Sequence, residues 1–178
     1  DFDSQSIDES KNELYVSADQ LTNVCSILKK SKEASFDLLT CISGVDYVEY
    51  FQVVYHLTST IHKHSYVLKV NLFGRSDLVC PSVYEFWQGA DFQEREIWDL
   101  LGIYFEGHPN MKRIFLWDGF EGHPLRKDFP MTGHNEVRYD EDTKKVIYEP
   151  VKLEQNYRNF DYESPWEGTK YIKKHTKE

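Results

Sequence analysis

The chain has 178 residues, room for one ordinary domain and an appendage, since single domains commonly hold ~100 to 150 residues. Its 30 Asp and Glu against 21 Lys and Arg leave a net charge of -9, which works against a phosphate polymer and argues against a nucleic-acid partner. No apolar run approaches the ~20 residues of a spanning helix, and a hydrophobic fraction of 40%, tyrosines included, is low enough that part of the chain lacks a core of its own.

In chain order, Ser17-Ala-Asp-Gln20 has the form of a capping box, and Leu21, Val24, Cys25 and Leu28 recur behind it at helical spacing. A helix is predicted over 18–30. The apolar run 36–43 predicts a strand that Gly44 closes. Phe51, Val53, Tyr55 and Leu57 then alternate with a second set, as do Tyr66, Leu68, Val70 and Leu72, predicting two half-buried antiparallel strands joined through 61–65. A short helix from Ser82 to about Trp87 follows, interrupted at Gly89. Asp91-Phe-Gln-Glu94 offers a carboxylate form of the capping box before a second helix, with Gly102 as its stop.

Cys25, Cys41 and Cys80 lie far apart without a C-x-x-C pair, which reads as a reducing compartment, as the wrong spacing for an iron-sulfur cluster, and as three small buried hydrophobes. The chain begins at Asp1 rather than Met, which fits either removal of a targeting peptide or a shortened chain. Helices among strands in this order make an α+β domain, with helices packed on a small, mainly antiparallel sheet. The core domain is placed at residues 1–130, with a short acidic N-terminal lead. Residues 131–178 read as a long extended C-terminal tail with a hairpin near 136–148. Seven aromatics with few aliphatics stand in that tail, suiting Tyr148, Tyr157, Phe160 and Trp166 to an interface with another protein.

The pentapeptide Phe-Glu-Gly-His-Pro occurs at 105–109 and again at 120–124. In each copy proline favours an extended histidine and glycine can supply a positive φ, so the repeat reads as one turn used twice, with Gly107, His108, Pro109 and Gly122, His123, Pro124 as its corners. His108 and His123 with nearby carboxylates have ligand types that suit zinc or iron, which leaves a small metallo-hydrolase as an alternative, although no H-E-x-x-H pair occurs. Around the turns the charges are dense: Glu94, Arg95, Glu96 and Asp99, then Arg113, then Arg126, Lys127 and Asp128. Neighbours on a helix point in different directions, so a solvated face is one reading, and the other is an arginine and carboxylate network at an interface, fixing the helix, the turns and a neighbouring chain to one another.

The run Glu94-Arg-Glu-Ile-Trp-Asp-Leu-Leu-Gly-Ile-Tyr-Phe-Glu-Gly-His-Pro109, with Lys112-Arg-Ile114 and Gly119-Phe-Glu-Gly-His-Pro-Leu-Arg-Lys-Asp-Phe-Pro130, closely resembles the thirty-kilodalton-type hydrophilic subunit of respiratory complex I, the proton-pumping NADH:ubiquinone oxidoreductase. The resemblance runs from about Leu38 to Trp166. Through Glu136-Val-Arg-Tyr-Asp140, Val146-Ile-Tyr-Glu-Pro150 and 159–166 it resembles the mitochondrial and alphaproteobacterial branch. It implies a non-catalytic scaffold subunit of the peripheral arm, packed against the hydrogenase-large-chain-like subunit of the quinone module. FMN, iron-sulfur clusters, NADH and ubiquinone would lie in other subunits, with no redox centre, metal or catalytic residue in this chain. The implied place is the matrix side of the mitochondrial inner membrane, or the cytoplasmic face of a bacterial plasma membrane. Related quinone-linked dehydrogenases and membrane-bound hydrogenases share the core and remain an alternative.

Overall fold

The computed structural model describes residues 7–8 and 12–155. Their elements are β1 (Ile7–Asp8), β2 (Glu13–Val16), α1 (Ala18–Lys30), β3 (Leu38–Asp46), β4 (Tyr50–Ser59), β5 (His64–Phe73), β6 (Val79–Pro81), α2 (Ala90–Leu101), β7 (Tyr104–Glu106), β8 (Asn135–Asp140) and β9 (Lys145–Pro150). The chain forms two compact units, one through Gly133 and one from His134.

In the first unit five strands form a sheet in the order β1-β2-β5-β4-β3, antiparallel except where β2 runs parallel to β5. A separate parallel pair joins β6 to β7. This is the expected α+β class, built on a mainly antiparallel sheet. The core forms where Phe51, Val53, Tyr55 and Leu57 of β4 and Leu68, Val70 and Leu72 of β5 meet Leu21, Val24 and Cys25 of α1 and Ile97 and Leu101 of α2. Strand β4 is more than half buried, because it lies between two long neighbours. Gln52 and Val54, on its other face, are also covered, and Gln52 satisfies its buried amide by donating from Nε2 to Asn71 Oδ1 at 2.7 Å.

Several expectations need correction. Gly44 does not end β3 but lies inside it, opposite Val53. A Cβ at Gly44 would come within 2.4 Å of Leu101 Cδ1, so glycine is what lets α2 approach the strand. Cys41 is exposed, because a bulge between Leu39 and Cys41 turns Thr40 and Cys41 both to solvent, while Cys25 and Cys80 are buried as expected. Residues 82–87 form turns rather than a helix. Phe86 and Trp87 donate backbone N–H to Val83, but the Val83 N–H and the Ser82 hydroxyl are taken by Glu94, and the indole of Trp87 donates to Phe36 O. A single turn closes too few backbone bonds to propagate into a helix.

Both helix starts also depart from their motifs. Ser17 is the N-cap of α1, yet its hydroxyl makes no capping bond and the Gln20 amide goes to the Ser17 carbonyl instead. Helix α2 is capped by Gly89, with Asp91 inside its first turn. Turn carbonyls of Trp87 and Gln88 accept the amides of Ala90 and Asp91, so two of the usually orphaned donors need no side-chain cap.

The second unit carries the antiparallel hairpin β8–β9, with Val137 opposite Tyr148 and Tyr139 opposite Val146. Arg138 and Glu149 form an ion pair at 3.1 Å on the hairpin. Tyr157, Phe160 and Trp166 lie outside the described residues.

Candidate functional site: a helix clamped at both ends by the repeated turns

Helix α2 carries the charged signature, and its period sorts the charges. Ala90, Glu94, Ile97 and Leu101 share the core face, so Glu94 is driven inside together with its apolar neighbours. Its Oε2 accepts the Ser82 hydroxyl at 2.6 Å and its Oε1 accepts the Val83 amide at 2.7 Å. Burial pushes the Glu94 carboxyl up to about 7; these two bonds oppose the shift and the nearby charge of Asp91 adds to it.

Asp99 lies on the opposite side of α2 and is equally buried, because the loop after β7 folds over it. Its Oδ2 accepts three consecutive amides, those of Ile114, Phe115 and Leu116, at 2.9 to 3.1 Å, and Oδ1 accepts from the Arg113 guanidinium at 2.8 Å. Burial alone would raise the Asp99 carboxyl, but the three amides and Arg113 outweigh it and hold it below the ordinary carboxylate range. Within the chain an arginine and carboxylate pair therefore forms at Asp99 with Arg113, whereas Glu94 is buried against a hydroxyl and a backbone amide with no arginine partner. Glu96 is exposed, and Arg95 donates to Lys112 O while lying 5.6 Å from the Phe92 ring.

The two copies of the pentapeptide clamp opposite ends of this helix. At the first turn, the Asn110 amide donates to His108 Nδ1, which leaves the ring hydrogen on Nε2. That hydrogen is directed at Asp91 O, 3.3 Å away, with Asp91 Oδ1 at 3.2 Å and Glu94 Oε2 at 3.9 Å beside it. The Oδ1 contact is electrostatic rather than a hydrogen bond, since the one ring hydrogen already serves the carbonyl; this buried oxygen has no hydrogen-bond donor among the described residues.

At the last turn, His123 Nδ1 donates to Asp99 O at 3.0 Å. Burial, and then the charges of Arg126 and Arg113, push the His123 imidazole below its ordinary value, so it is held neutral. Helix α2 has no basic residue in its own last turn. Arg126 supplies the cation from the loop, donating to Leu101 O at 2.6 Å and to Gly102 O at 3.5 Å, which satisfies carbonyls the helix leaves open, and to Arg75 O at 3.0 Å after β5. Gly102 ends α2 at φ 74°, where a Cβ would meet His123 Nε2 at 2.5 Å. Gly107 and Gly122 both have positive φ, 83° and 94°, as the turn reading requires. Pro109 and Pro124 follow the two histidines and complete the corners.

A second knot joins Lys127 and Asp128 to two residues the sequence reading missed, Arg75 and Asp46. Arg75, just after β5, donates to both oxygens of Asp46 at the end of β3 and lies 3.0 Å from Asp128, while the Lys127 amide donates to Asp46 Oδ2 at 2.9 Å. Hydrogen bonds from Arg75 are the main reason the Asp46 carboxyl is held well below its usual range. The antiparallel register that sets Tyr50 opposite Phe73 brings these strand ends together, and that was the available signal. Among the described residues no group of three or more His, Cys, Asp or Glu side chains converges as a metal would need, and His108 and His123 sit at opposite ends of α2.

With this geometry in place, comparison with known proteins is specific. Residues 14–135 match the family described as respiratory-chain NADH dehydrogenase, 30 Kd subunit. The chain is 46% identical over 162 residues to an NADH-quinone oxidoreductase subunit of Roseobacter denitrificans, covering 89% of this chain and 80% of that one. It is 44% identical to the corresponding subunit of Azorhizobium caulinodans, covering 89% and 76%. Among solved structures, a chain of the membrane-bound sulfane sulfur reductase, an archaeal respiratory membrane complex, aligns with a TM-score of 0.61 at 28% identity, over 81% of this chain and 90% of that one.

Proposed function

The chain belongs to the 30-kDa subunit family of respiratory-chain NADH dehydrogenases, and from that premise we propose that it is a scaffold subunit of a proton-translocating NADH:quinone oxidoreductase. In this role it contributes no catalytic residue and holds no redox centre. It fixes the position of the quinone-reducing module, with the hydrogenase-large-chain-like subunit as its chief neighbour and FMN, iron-sulfur clusters, NADH and ubiquinone carried by other subunits.

The observation that carries this reading is where the signature charges go. Glu94, Asp99, Arg113, His108, His123 and Arg126 spend their hydrogen bonds on backbone groups, on the Ser82 hydroxyl and on one another, tying both ends of α2 to the loops around it. Buried polar networks that are satisfied in this way rigidify the elements they join. A rigid block suits a subunit that keeps redox modules at a fixed separation, and a tail that is ordered once on assembly suits its strapping.

Among the described residues no helix is long and apolar enough to cross a membrane. We place the subunit peripherally, on the matrix side of the mitochondrial inner membrane. The bacterial sources of its relatives favour the cytoplasmic face of a plasma membrane as the second placement. The structural likeness to a sulfane sulfur reductase chain supports, as a second functional reading, a homologous subunit in a sister respiratory complex. Elemental analysis and an absorption spectrum of the purified chain test the scaffold role. The expected result is no stoichiometric metal and no flavin band. A metal near one per chain that is lost in His108→Ala or His123→Ala would return the metallo-hydrolase alternative.

A further inference from the structure

Phe92, Glu96 and Leu100 stand four residues apart on α2 and so line one stripe of its surface. The loop that Asp99 and Arg95 hold, residues 112–116, borders the stripe on one side. On the other, Gln93 reaches the Ile42 amide of β3. The Leu125 amide bonds Leu100 O and closes one end.

Three large apolar side chains around this stripe are open to solvent: Phe92 is 65% exposed, Phe115 64% and Leu125 61%. Among them stands one exposed carboxylate, Glu96, with no cation within ion-pairing distance among the described residues. The nearest arginine in sequence, Arg95, is already committed to Lys112 O and the Phe92 ring. The bordering Lys112 is exposed as well but lies beyond ion-pairing distance of Glu96. Exposed aromatic and aliphatic side chains around a carboxylate without an ion-pair partner have the make-up of a recognition surface, where the apolar contacts exclude water and the charge selects the partner.

Resting on the reading of the chain as one subunit of a larger complex, we propose that this stripe docks a segment of another subunit that presents an arginine or lysine to Glu96 between aliphatic side chains. Charge decides among the occupants. A second copy of a chain with net charge -9 would bring further negative charge, and an anionic lipid surface would repel the carboxylate. A basic side chain with apolar neighbours satisfies both parts of the surface.

The test uses the assembled complex, with Phe92 replaced by the photo-crosslinking residue p-benzoylphenylalanine. The expected crosslink joins a peptide of a different subunit with an arginine or lysine beside the attachment point. Glu96→Lys should lower incorporation into the complex by about tenfold or more, since like charges facing each other at an interface are strongly disfavoured. The melting temperature of the free variant should stay at the wild-type value, and reversing the partner's basic residue to glutamate should restore incorporation. A crosslink only to lipid or to a second copy, no crosslink, or incorporation of Glu96→Lys at the wild-type level would overturn the proposal while leaving complex membership intact. If the wild-type chain itself runs apart from NADH dehydrogenase activity, membership fails and this docking surface fails with it.

Discussion

Replacing Glu94 by glutamine gives the sharpest test of the buried network. Burial raises the Glu94 carboxyl from an ordinary 4.5 to about 7, so folding favours its protonated form. Its contribution is fully present below pH 4.5, falls as pH rises through about 7, and is constant above that. At ~1.36 kcal/mol per pKa unit, the gap between 4.5 and about 7 corresponds to about 3 kcal/mol of stability lost on going from acid to pH 8. Glutamine has the shape of the protonated acid. Its carbonyl oxygen can accept the Val83 amide and its NH2 can donate to the Ser82 oxygen, so Glu94→Gln should match wild type near pH 4.5 and exceed it by about 3 kcal/mol at pH 8. The depressed carboxyls of Asp46 and Asp99 act in the opposite sense, but in a separate window: their contribution is present above the unfolded value near 3.8 and is lost as pH falls below it. Urea unfolding followed by tryptophan fluorescence, at half-unit steps from pH 4.5 to 8.5, measures the difference. Parallel pH profiles for the two proteins, or a Gln variant less stable than wild type at pH 8, would refute the reasoning.

Asp99→Ala strips the shared acceptor from three amides and leaves the half-buried Arg113 unpaired, so it should cost about 3 to 5 kcal/mol. Early proteolytic cleavage within residues 110–118, before the rest of the domain unfolds, would show that this loop opens first. Gly102→Ala combines a positive φ with a collision at His123 and should cost at least ~1 to 3 kcal/mol, read from the shift in the urea midpoint. At Gly107 a Cβ meets open space, so Gly107→Ala should show backbone strain alone and cost less than Gly102→Ala in the same assay. A chain truncated after Pro130 should keep a cooperative unfolding transition yet fail to enter the complex; normal assembly and activity of the truncated form would remove the tail's role as a strap.

The parts legible in the sequence were those where local pattern and tertiary demand agree. Helix α1 keeps its apolar period between a serine cap and a lysine-rich end, and β4 and β5 alternate on both sides of a short turn. Gly102, Gly107 and Gly122 were readable because their backbone angles are costly for residues with a side chain. Where tertiary contacts decide, pattern failed. Strand β2 is four residues of mixed polarity whose partner, β5, lies some fifty residues away in a parallel pairing. The stretch 82–87 has a helical composition but stops after the one turn closed on Val83 O, with the Trp87 side chain drawn to Phe36 O. Glu94 itself resembles a solvated charge until it is placed in register with Ala90, Ile97 and Leu101, which would have revealed it on the core face. Asp99 carried no comparable signal, since it is buried by a loop rather than by its own helix face.

We propose that this chain acts as a structural subunit of an NADH:quinone oxidoreductase. Native electrophoresis of solubilised membranes, with an antibody to this chain and in-gel staining for NADH dehydrogenase activity, tests it most directly. The chain is expected to run in the same high-mass band as the activity. A chain found only at low mass, apart from a fully active band, would contradict it.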